Sequence, residues 1–296
     1  MLQIDQISKT YPGGIKALKN VSLKIKKGIF GLVGPNGSGK STLMRTIATL
    51  QKPDQGSIIF HGDDIVNHPS KMRQKLGYLP QEFGLYPHMS AEKLLDYLIL
   101  LKGIEGKKDR KELIDYLLSI TNLQKFKKRK VGAFSGGMKQ RFGIAQALIG
   151  DPDLIIVDEP TNGLDPTERN HFHDILSDIA ENRIIIFSTH IIDDVKELAN
   201  DMAIMHQGEI ILTGDPIQLI ENLNGTVWQK IIDKHEKEKF ENQYPVFLSK
   251  LYCGKLNVKA FSKTPLQGFE KCYPSLEDVY FTTLKKCQNN ETISAS

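Results

Sequence analysis

The stretch Gly34-Pro35-Asn36-Gly37-Ser38-Gly39-Lys40-Ser41 decides how the rest of the chain is interpreted. It fits the P-loop pattern of a glycine, four further residues, then glycine, lysine and a serine or threonine. The apolar residues 29–33 before it predict a short buried strand, and residues 42–50 after it predict a helix with an apolar stripe. This strand–loop–helix context is the one that a phosphate-binding loop requires.

The chemistry of this loop follows from its residue types. Glycines allow the backbone to wrap closely around phosphate oxygens, and the N–H groups at the start of the helix point at the bound anion. We expect Lys40 to reach the β- and γ-phosphates of a nucleotide and the Ser41 hydroxyl to ligate Mg²⁺. Every residue of the loop from Gly34 to Ser41, with Thr42 after it, is therefore a candidate nucleotide contact.

Composition places the chain among ordinary globular proteins. Its 296 residues are 40% hydrophobic and 25% charged, which allows one large domain with a smaller one. No apolar run approaches the ~18 residues of a membrane-spanning helix, and the first five residues predict no secretory leader. Three cysteines without metal-like spacing fit a reducing cytosol, and a net charge of +4 does not by itself indicate nucleic-acid binding.

Two basic clusters, at 107–111 and 125–130, allow two interpretations. They are either solvated helix ends and loops or a surface that contacts an anionic membrane.

The apolar pattern predicts an α/β fold. Residues 2–30 alternate as half-buried strands, whereas 154–157 and 184–187 are continuous apolar strands that alternate with helices, as in a parallel sheet covered on both faces. We therefore predict a P-loop NTPase core, a parallel sheet flanked by helices, with an antiparallel β subdomain and a helical subdomain at about 84–149. A nucleotide-binding domain is predicted at 1–214 and a small α+β C-terminal accessory domain at 215–296.

Polar residues follow three of the predicted strands. Asp158 and Glu159 end one apolar strand, His190 follows the next, and Gln81 follows the strand at 76–79. Asp158 is placed to hold Mg²⁺, and Glu159 to orient and deprotonate an attacking water. His190 can hydrogen-bond the γ-phosphate, and Gln81 can reach both the metal and the water. The alternatives are a helix cap or surface salt bridge for the acidic pair and a structural role for the histidine.

Two further segments contain candidate nucleotide contacts. Ser135, Gly136 and Gly137 open a predicted helix, and a helix N-terminus is an anion site. Tyr11 precedes the turn at 12–14 and is either a half-buried aromatic at a strand end or a ring that stacks on adenine.

These motifs in this order resemble the nucleotide-binding subunit of an ABC transporter, over residues from about 4 to 214. The resemblance implies an ATPase that uses ATP and Mg²⁺ and works as a dimer around two nucleotides. It implies that Ser135, Gly136 and Gly137 bind the ATP held by a second copy, and that Asp165 lies across the same interface. We call residues 134–138 the signature segment. Phe134 and Met138 stand where the family usually has leucine and glutamine, but they remove neither the serine hydroxyl nor the glycine amides.

A narrower resemblance concerns the type of transporter. Residues 77–82 and 275–280 are similar to the subfamily that drives ABC-2-type exporters of drugs, peptide antibiotics or polysaccharides. It implies an integral-membrane permease as partner, contacted through the loop of Gln81, and a cytoplasmic protein held peripherally on the inner face of the cell membrane. In this interpretation the permease determines cargo and direction.

Two other functions stay open at this point. One is an ABC-type ATPase that acts on nucleic acid or ribosomes, although a single cassette without Cys/His spacing or sustained heptads disfavours it and no nucleic-acid partner is expected. The other is a mechanical or regulatory module that couples ATP to a membrane partner without moving cargo.

Overall fold

The computed structural model describes residues 1–84 and 86–294 and divides into two compact units. The first unit contains Met1–Asn200 and Met205–Ile210, and the second contains Asp201–Ile204 and Ile211–Ser296. The predicted domain boundary after residue 214 stays a prediction, and the last two positions of the predicted accessory domain lie outside the described residues.

The first unit is built from two sheets and their helices. Its strands are β1 (Leu2–Tyr11), β2 (Ile15–Ile25), β3 (Gly28–Val33), β4 (Gln55–Phe60), β5 (Asp63–Asp64), β6 (Leu76–Leu79), β7 (Leu154–Asp158) and β8 (Ile184–Thr189). Its helices are α1 (Lys40–Ile47), α2 (Pro69–Gln74), α3 (Ala91–Leu101), α4 (Lys107–Ile120), α5 (Gly136–Ala147), α6 (Pro166–Ile179) and α7 (Ile192–Leu198). Strands β9 (Asp201–His206) and β10 (Glu209–Gly214) flank a turn at Gln207-Gly208 that belongs to this unit.

One sheet is antiparallel and half-buried, in the order β2-β1-β4-β5. Leu2 pairs with Ile25 and Ile4 with Leu23, and all four side chains are buried. The alternating apolar pattern of residues 2–25 therefore forms one covered face of this sheet, as period-two strands do. Residues 28–30, which were predicted to alternate in the same way, belong to β3 in the other sheet and are mostly buried.

The other sheet carries the parallel strands β3, β8, β7 and β6, paired in that order. Every residue of β7 and β8 is buried, because helices cover both faces of a parallel sheet. This arrangement confirms the predicted α/β fold with its antiparallel and helical additions. It brings the carboxyl ends of β7 and β8 to one edge, where Asp158 pairs with Ser188.

The described part of the predicted helical segment contains the α-helices α3, α4 and α5. The Ser90 hydroxyl accepts the Lys93 N–H at 3.4 Å and caps α3. Helix α4 begins at Lys107, so the first basic cluster belongs to its opening turns. Arg110 of that cluster is buried and donates to Asp96 at 2.7 Å.

Along the described residues, no helix has both the length and the apolar character needed to cross a bilayer.

The second unit is a small α+β fold, as predicted. Its elements after β10 are α8 (Pro216–Glu221), β11 (Val227–Ile232), α9 (Lys237–Gln243), β12 (Val246–Tyr252), β13 (Lys255–Phe261), β14 (Glu270–Lys271) and α10 (Leu276–Ser294). The strands form an antiparallel sheet in the order β12-β13-β11-β14. One face of this sheet packs on Phe240 of α9 and on Phe269.

A buried ion pair joins α10 to this sheet. The Asp278 side chain is fully buried, and Lys259 Nζ of β13 lies 2.8 Å from each of its carboxylate oxygens. The Ser275 N–H and hydroxyl donate to the same carboxylate at 2.8 and 3.0 Å. Removing one partner from such a pair leaves an uncompensated buried charge.

We expect Lys259→Met to lower the free energy of unfolding of the second unit by about 3–5 kcal/mol, because Asp278 then stays buried without its cation. Trp228, the one tryptophan of the chain, donates its indole N–H to Ser262 O within this unit, so its fluorescence in urea follows the transition. Lys239→Met, at an exposed position of α9, is the matched control. Equal urea midpoints for Lys259→Met and Lys239→Met would contradict a stabilising role of the ion pair between Lys259 and Asp278.

Candidate active site

A cavity of 710 Å³ opens above the P-loop of the first unit. Its walls combine the loop and α1 with the residues that end the parallel strands. They include Asn36, Gly37, Ser38, Gly39, Lys40, Ser41, Thr42, Gln81, Glu159, Asn162, His190 and Gln207, with Ile15, Lys16, Ala17 and Lys19 from β2. The structure therefore brings most of the P-loop and the three predicted catalytic residues to one cavity.

The loop backbone is shaped to receive an anion. Gly39 has a φ of +108°, and a Cβ there would lie 2.5 Å from the carbonyl oxygen of Ala17, so only glycine fits. The Gly208 N–H donates to Ser38 O at 2.9 Å and holds the loop in place. No side chain caps α1, so its first-turn N–H groups are available, and Ser38 Oγ is buried without a hydrogen-bond partner among the described residues. These donors fit the phosphates of a nucleotide.

Lys40 is held at the floor of the cavity. Its side chain is 5% exposed, and Nζ donates to the carbonyl oxygens of Gly34 at 2.7 Å and Pro35 at 3.2 Å. Burial lowers the pKa of Lys40 below its usual value, while the carboxylates of Glu159 and Asp158 oppose that shift. Gly34 and Pro35, which do not line the cavity, thus position the lysine that does.

Oxygen atoms suited to Mg²⁺ meet beside α1. Ser41 Oγ donates to Asp158 Oδ1 at 3.3 Å, and Ser188 Oγ donates to the same oxygen at 2.5 Å. Hydroxyl and carboxylate oxygens are the ligands that Mg²⁺ takes, so the predicted pair of Ser41 and Asp158 fits the ion. Ser188 was not among the predicted site residues, although its place directly after the apolar run 184–187 and shortly before His190 was a signal.

Glu159 occupies a strained backbone position. Its φ of +47° lies in the left-handed region, which costs a residue other than glycine about 1–2 kcal/mol. The Glu159 N–H donates to Ser188 O at 3.2 Å and to Ser188 Oγ at 3.0 Å, and these contacts hold it there. Such strain persists where the surrounding structure enforces it and clusters at functional sites.

Three side chains converge on the Glu159 carboxylate. Lys40 Nζ lies 3.7 Å from Oε1, Gln81 Nε2 donates to Oε2 at 3.3 Å, and His190 Nδ1 lies 3.5 Å from Oε2. Glu159 itself is 9% exposed, so these interactions act in a partly dry environment. The predicted catalytic residues therefore share one carboxylate at the mouth of the phosphate-binding loop.

The other predicted contacts lie outside the cavity lining. The Tyr11 hydroxyl donates to Gln51 Oε1 at 2.8 Å and lies 3.5 Å from Thr42 Oγ1, and stacking of its ring on adenine stays a prediction. Ser135 caps α5 by accepting the Met138 N–H at 3.2 Å, and Asp165 caps α6 by accepting the Glu168 N–H at 2.9 Å.

The signature segment at the start of α5 is divided between surface and core. Ser135 and Gly136 are exposed, whereas Gly137 and Met138 are buried. Phe134 is also buried, with its ring edge-on to Phe142 at a centroid distance of 6.1 Å. The two unusual residues thus pack inward and leave the serine and the first glycine at the surface.

Comparisons with known proteins agree with this geometry. A family model described as ABC transporter matches residues 18–162. The ABC transporter ATP-binding protein NatA of Bacillus subtilis (strain 168) is 38% identical over 243 residues, covering 81% of this chain and 92% of that protein. The linearmycin resistance ATP-binding protein LnrL of the same organism is 38% identical, covering 76% of this chain and 72% of its own. The choline transport ATP-binding protein OpuBA of that organism is 37% identical over 75% of this chain and 59% of its own.

A solved structure shows the same fold. A dimeric bacterial ABC transporter cassette, MJ0796, is 29% identical with a TM-score of 0.67, covering 73% of this chain and 98% of that one. The same cassette has also been solved as a dimer in a post-hydrolysis state with ADP and phosphate, at a TM-score of 0.66. With the P-loop cavity and the strand-end carboxylates, these likenesses show that the chain belongs to the ABC transporter family as an ATP-binding subunit that hydrolyses ATP.

Proposed function

We propose that this ATPase powers an ABC exporter, and that Glu159 is the base that activates the attacking water. The observation that carries the role of Glu159 is the convergence of Lys40, Gln81 and His190 on its carboxylate at the mouth of the P-loop. A general base must lie within reach of the water it deprotonates and be oriented by its neighbours.

The residues divide the work of hydrolysis in this proposal. The loop amides and Ser38 bind the phosphates, and Lys40 moves from its carbonyl partners to the β- and γ-phosphates. Ser41, Asp158 and Gln81 would hold Mg²⁺, which would neutralise charge on the phosphate oxygens when bound. Glu159 takes a proton from water as the water oxygen bonds to the γ-phosphorus and the bond to the bridging oxygen breaks, with ADP as leaving group. His190 stabilises the γ-phosphate, and Tyr11 stacks on adenine.

We propose that a second copy of the chain completes the site. Ser135, Gly136, Gly137 and Asp165 do not line the cavity of their own chain. Ser135 and Gly136 are exposed at a helix N-terminus, where an anion from another molecule can bind. The dimeric state of the similar cassette supports the same arrangement here.

The membrane partner and the direction of transport are also proposals. We propose an integral-membrane permease that is contacted through the loop of Gln81 and holds the protein peripherally on the cytoplasmic face of the cell membrane. Export is supported by the segments 77–82 and 275–280 and by the resistance function named for LnrL. The similarity to OpuBA, which is named for choline transport, makes direction the point to measure. Transport by the chain together with its permease in inside-out vesicles distinguishes the two directions, since an exporter accumulates cargo there.

The role of Glu159 predicts a separation of binding from turnover. Glu159→Gln should reduce phosphate release at saturating ATP by ~10²–10⁴-fold, because it removes the base and leaves the phosphate-binding donors in place. ATP affinity measured by calorimetry should stay close to that of the unmodified chain. Glu181→Gln, at an exposed position outside the cavity, is the control and should hydrolyse normally. Near-normal hydrolysis by Glu159→Gln would remove Glu159 from this role.

The composite site predicts complementation between two inactive variants. Ser135→Arg and Lys40→Ala should each be inactive alone. A mixed dimer combines both defects in one site and leaves the other intact, so an equal mixture should recover about a quarter of normal turnover. Sedimentation of Glu159→Gln should show a monomer that ATP and Mg²⁺ convert to a dimer, since dimerisation is linked to nucleotide occupancy.

Two outcomes would contradict this proposal. They are an absence of recovery on mixing and a sedimentation coefficient that does not respond to ATP and Mg²⁺. Either one would indicate that the functional pair includes a different chain.

A further inference from the structure

A buried carboxylate lies behind the active site without lining its cavity. Asp194 of α7 is fully buried and accepts four hydrogen bonds. Its Oδ2 accepts from Thr161 Oγ1 at 2.7 Å and from Thr189 Oγ1 at 2.9 Å. Its Oδ1 accepts from Arg169 Nε at 2.6 Å and from His173 Nε2 at 2.9 Å.

The two hydroxyl donors belong to the segments that carry the proposed catalytic residues. Thr161 stands two residues after Glu159 at the end of β7, and Thr189 stands directly before His190 at the end of β8. Thr189 Oγ1 also accepts the Ile191 N–H at 2.9 Å, which ties the turn after β8 to the same point. One oxygen of Asp194 thus connects both segments.

The other oxygen of Asp194 is anchored to α6. Arg169 and His173 hold it, and His173 Nδ1 in turn lies 2.9 Å from Glu197 Oε2. Burial by itself would raise the pKa of Asp194, but the hydrogen bonds from His173 and Thr161 and the charge of Arg169 outweigh it and hold the pKa below its usual range. Asp194 is therefore an ionised acceptor, and hydrogen bonds to a charged acceptor are about twice as strong as neutral ones.

We propose that Asp194 is a positioning residue for ATP hydrolysis, which holds the segments of Glu159 and His190 in register through the hydroxyls of Thr161 and Thr189. The inference rests on the proposed roles of Glu159 and His190. Neither hydroxyl belongs to a residue that lines the cavity, so the effect on chemistry is indirect. Small displacements of catalytic groups are costly, since an error of about 1 Å can reduce a rate by ~10²-fold.

The Thr161 hydroxyl allows this proposal to be tested without disturbing the buried charge. Thr161→Val removes the donor at nearly constant shape, and Thr161→Ser restores it. Thr121→Val is the matched control, because Thr121 is fully buried and its hydroxyl donates to Leu117 O, in the helical segment away from the cavity. Turnover is expressed per ATP-binding site counted by calorimetry, so that a partly unfolded preparation does not imitate a loss of rate.

We expect Thr161→Val to lower kcat by about 10–100-fold with ATP affinity within about twofold, while Thr161→Ser and Thr121→Val keep most of the turnover. A structural role would instead reduce folded protein and ATP affinity together. Normal kcat in Thr161→Val, or an equal loss in Thr161→Ser, would overturn the proposal.

A combined variant separates this inference from the proposed role of Glu159. If Asp194 acts through Glu159, adding Thr161→Val to Glu159→Gln should change the residual turnover by less than about threefold, because residues of one catalytic unit are not additive. A full additional loss in the combined variant would overturn the route through Glu159. Normal turnover of Glu159→Gln alone would instead contradict the proposed role of Glu159 as the base. The comparison of Thr161→Val with Thr161→Ser would then still decide whether the contact with Asp194 affects turnover.

Discussion

The parallel pairing of β7 with β8 is the constraint on which the rest of the site depends. Because Asp158 pairs with Ser188, the Ser188 hydroxyl reaches the Asp158 carboxylate at 2.5 Å. The same serine accepts the Glu159 N–H through its carbonyl oxygen and its hydroxyl. This pairing holds Glu159 in a left-handed conformation that a free chain disfavours. A slip of one residue would turn each of these groups to the wrong face.

The P-loop supplies the opposite charge to this edge of the sheet. Lys40 lies between the carbonyl oxygens of its own loop and the Glu159 carboxylate, and the buried cation and anion compensate each other. A triphosphate would offer Lys40 a stronger acceptor and free Glu159 to interact with water. The ion pair therefore connects the loop that receives the nucleotide with the residue proposed to activate the attacking water.

The sequence was sufficient for the parts of this arrangement that depend on local patterns. The P-loop, the continuous apolar strands and the strand-end positions of Asp158, Glu159 and His190 were all predicted. The structure brings most of the loop, Glu159 and His190 to one cavity and places Asp158 beside Ser41. Contacts that depend on register and rotamer were not predicted. Ser188 and Asp194 form hydrogen bonds to residues of other strands and helices, so spacing along the chain does not indicate them. The start of α4 at Lys107 had no signal in the sequence for a different reason, because its first turns are polar and have no apolar stripe.

The most direct test of this account is a crystal structure of Glu159→Gln with ATP and Mg²⁺, in which the nucleotide cannot turn over. The account predicts phosphate oxygens on the loop amides and on Lys40 Nζ, with Lys40 released from Gly34 and Pro35. It also predicts that the metal lies between Ser41 and Asp158, and that residue 159 faces the γ-phosphate. A triphosphate bound away from the loop, or a Lys40 that still donates to both carbonyl oxygens, would contradict it.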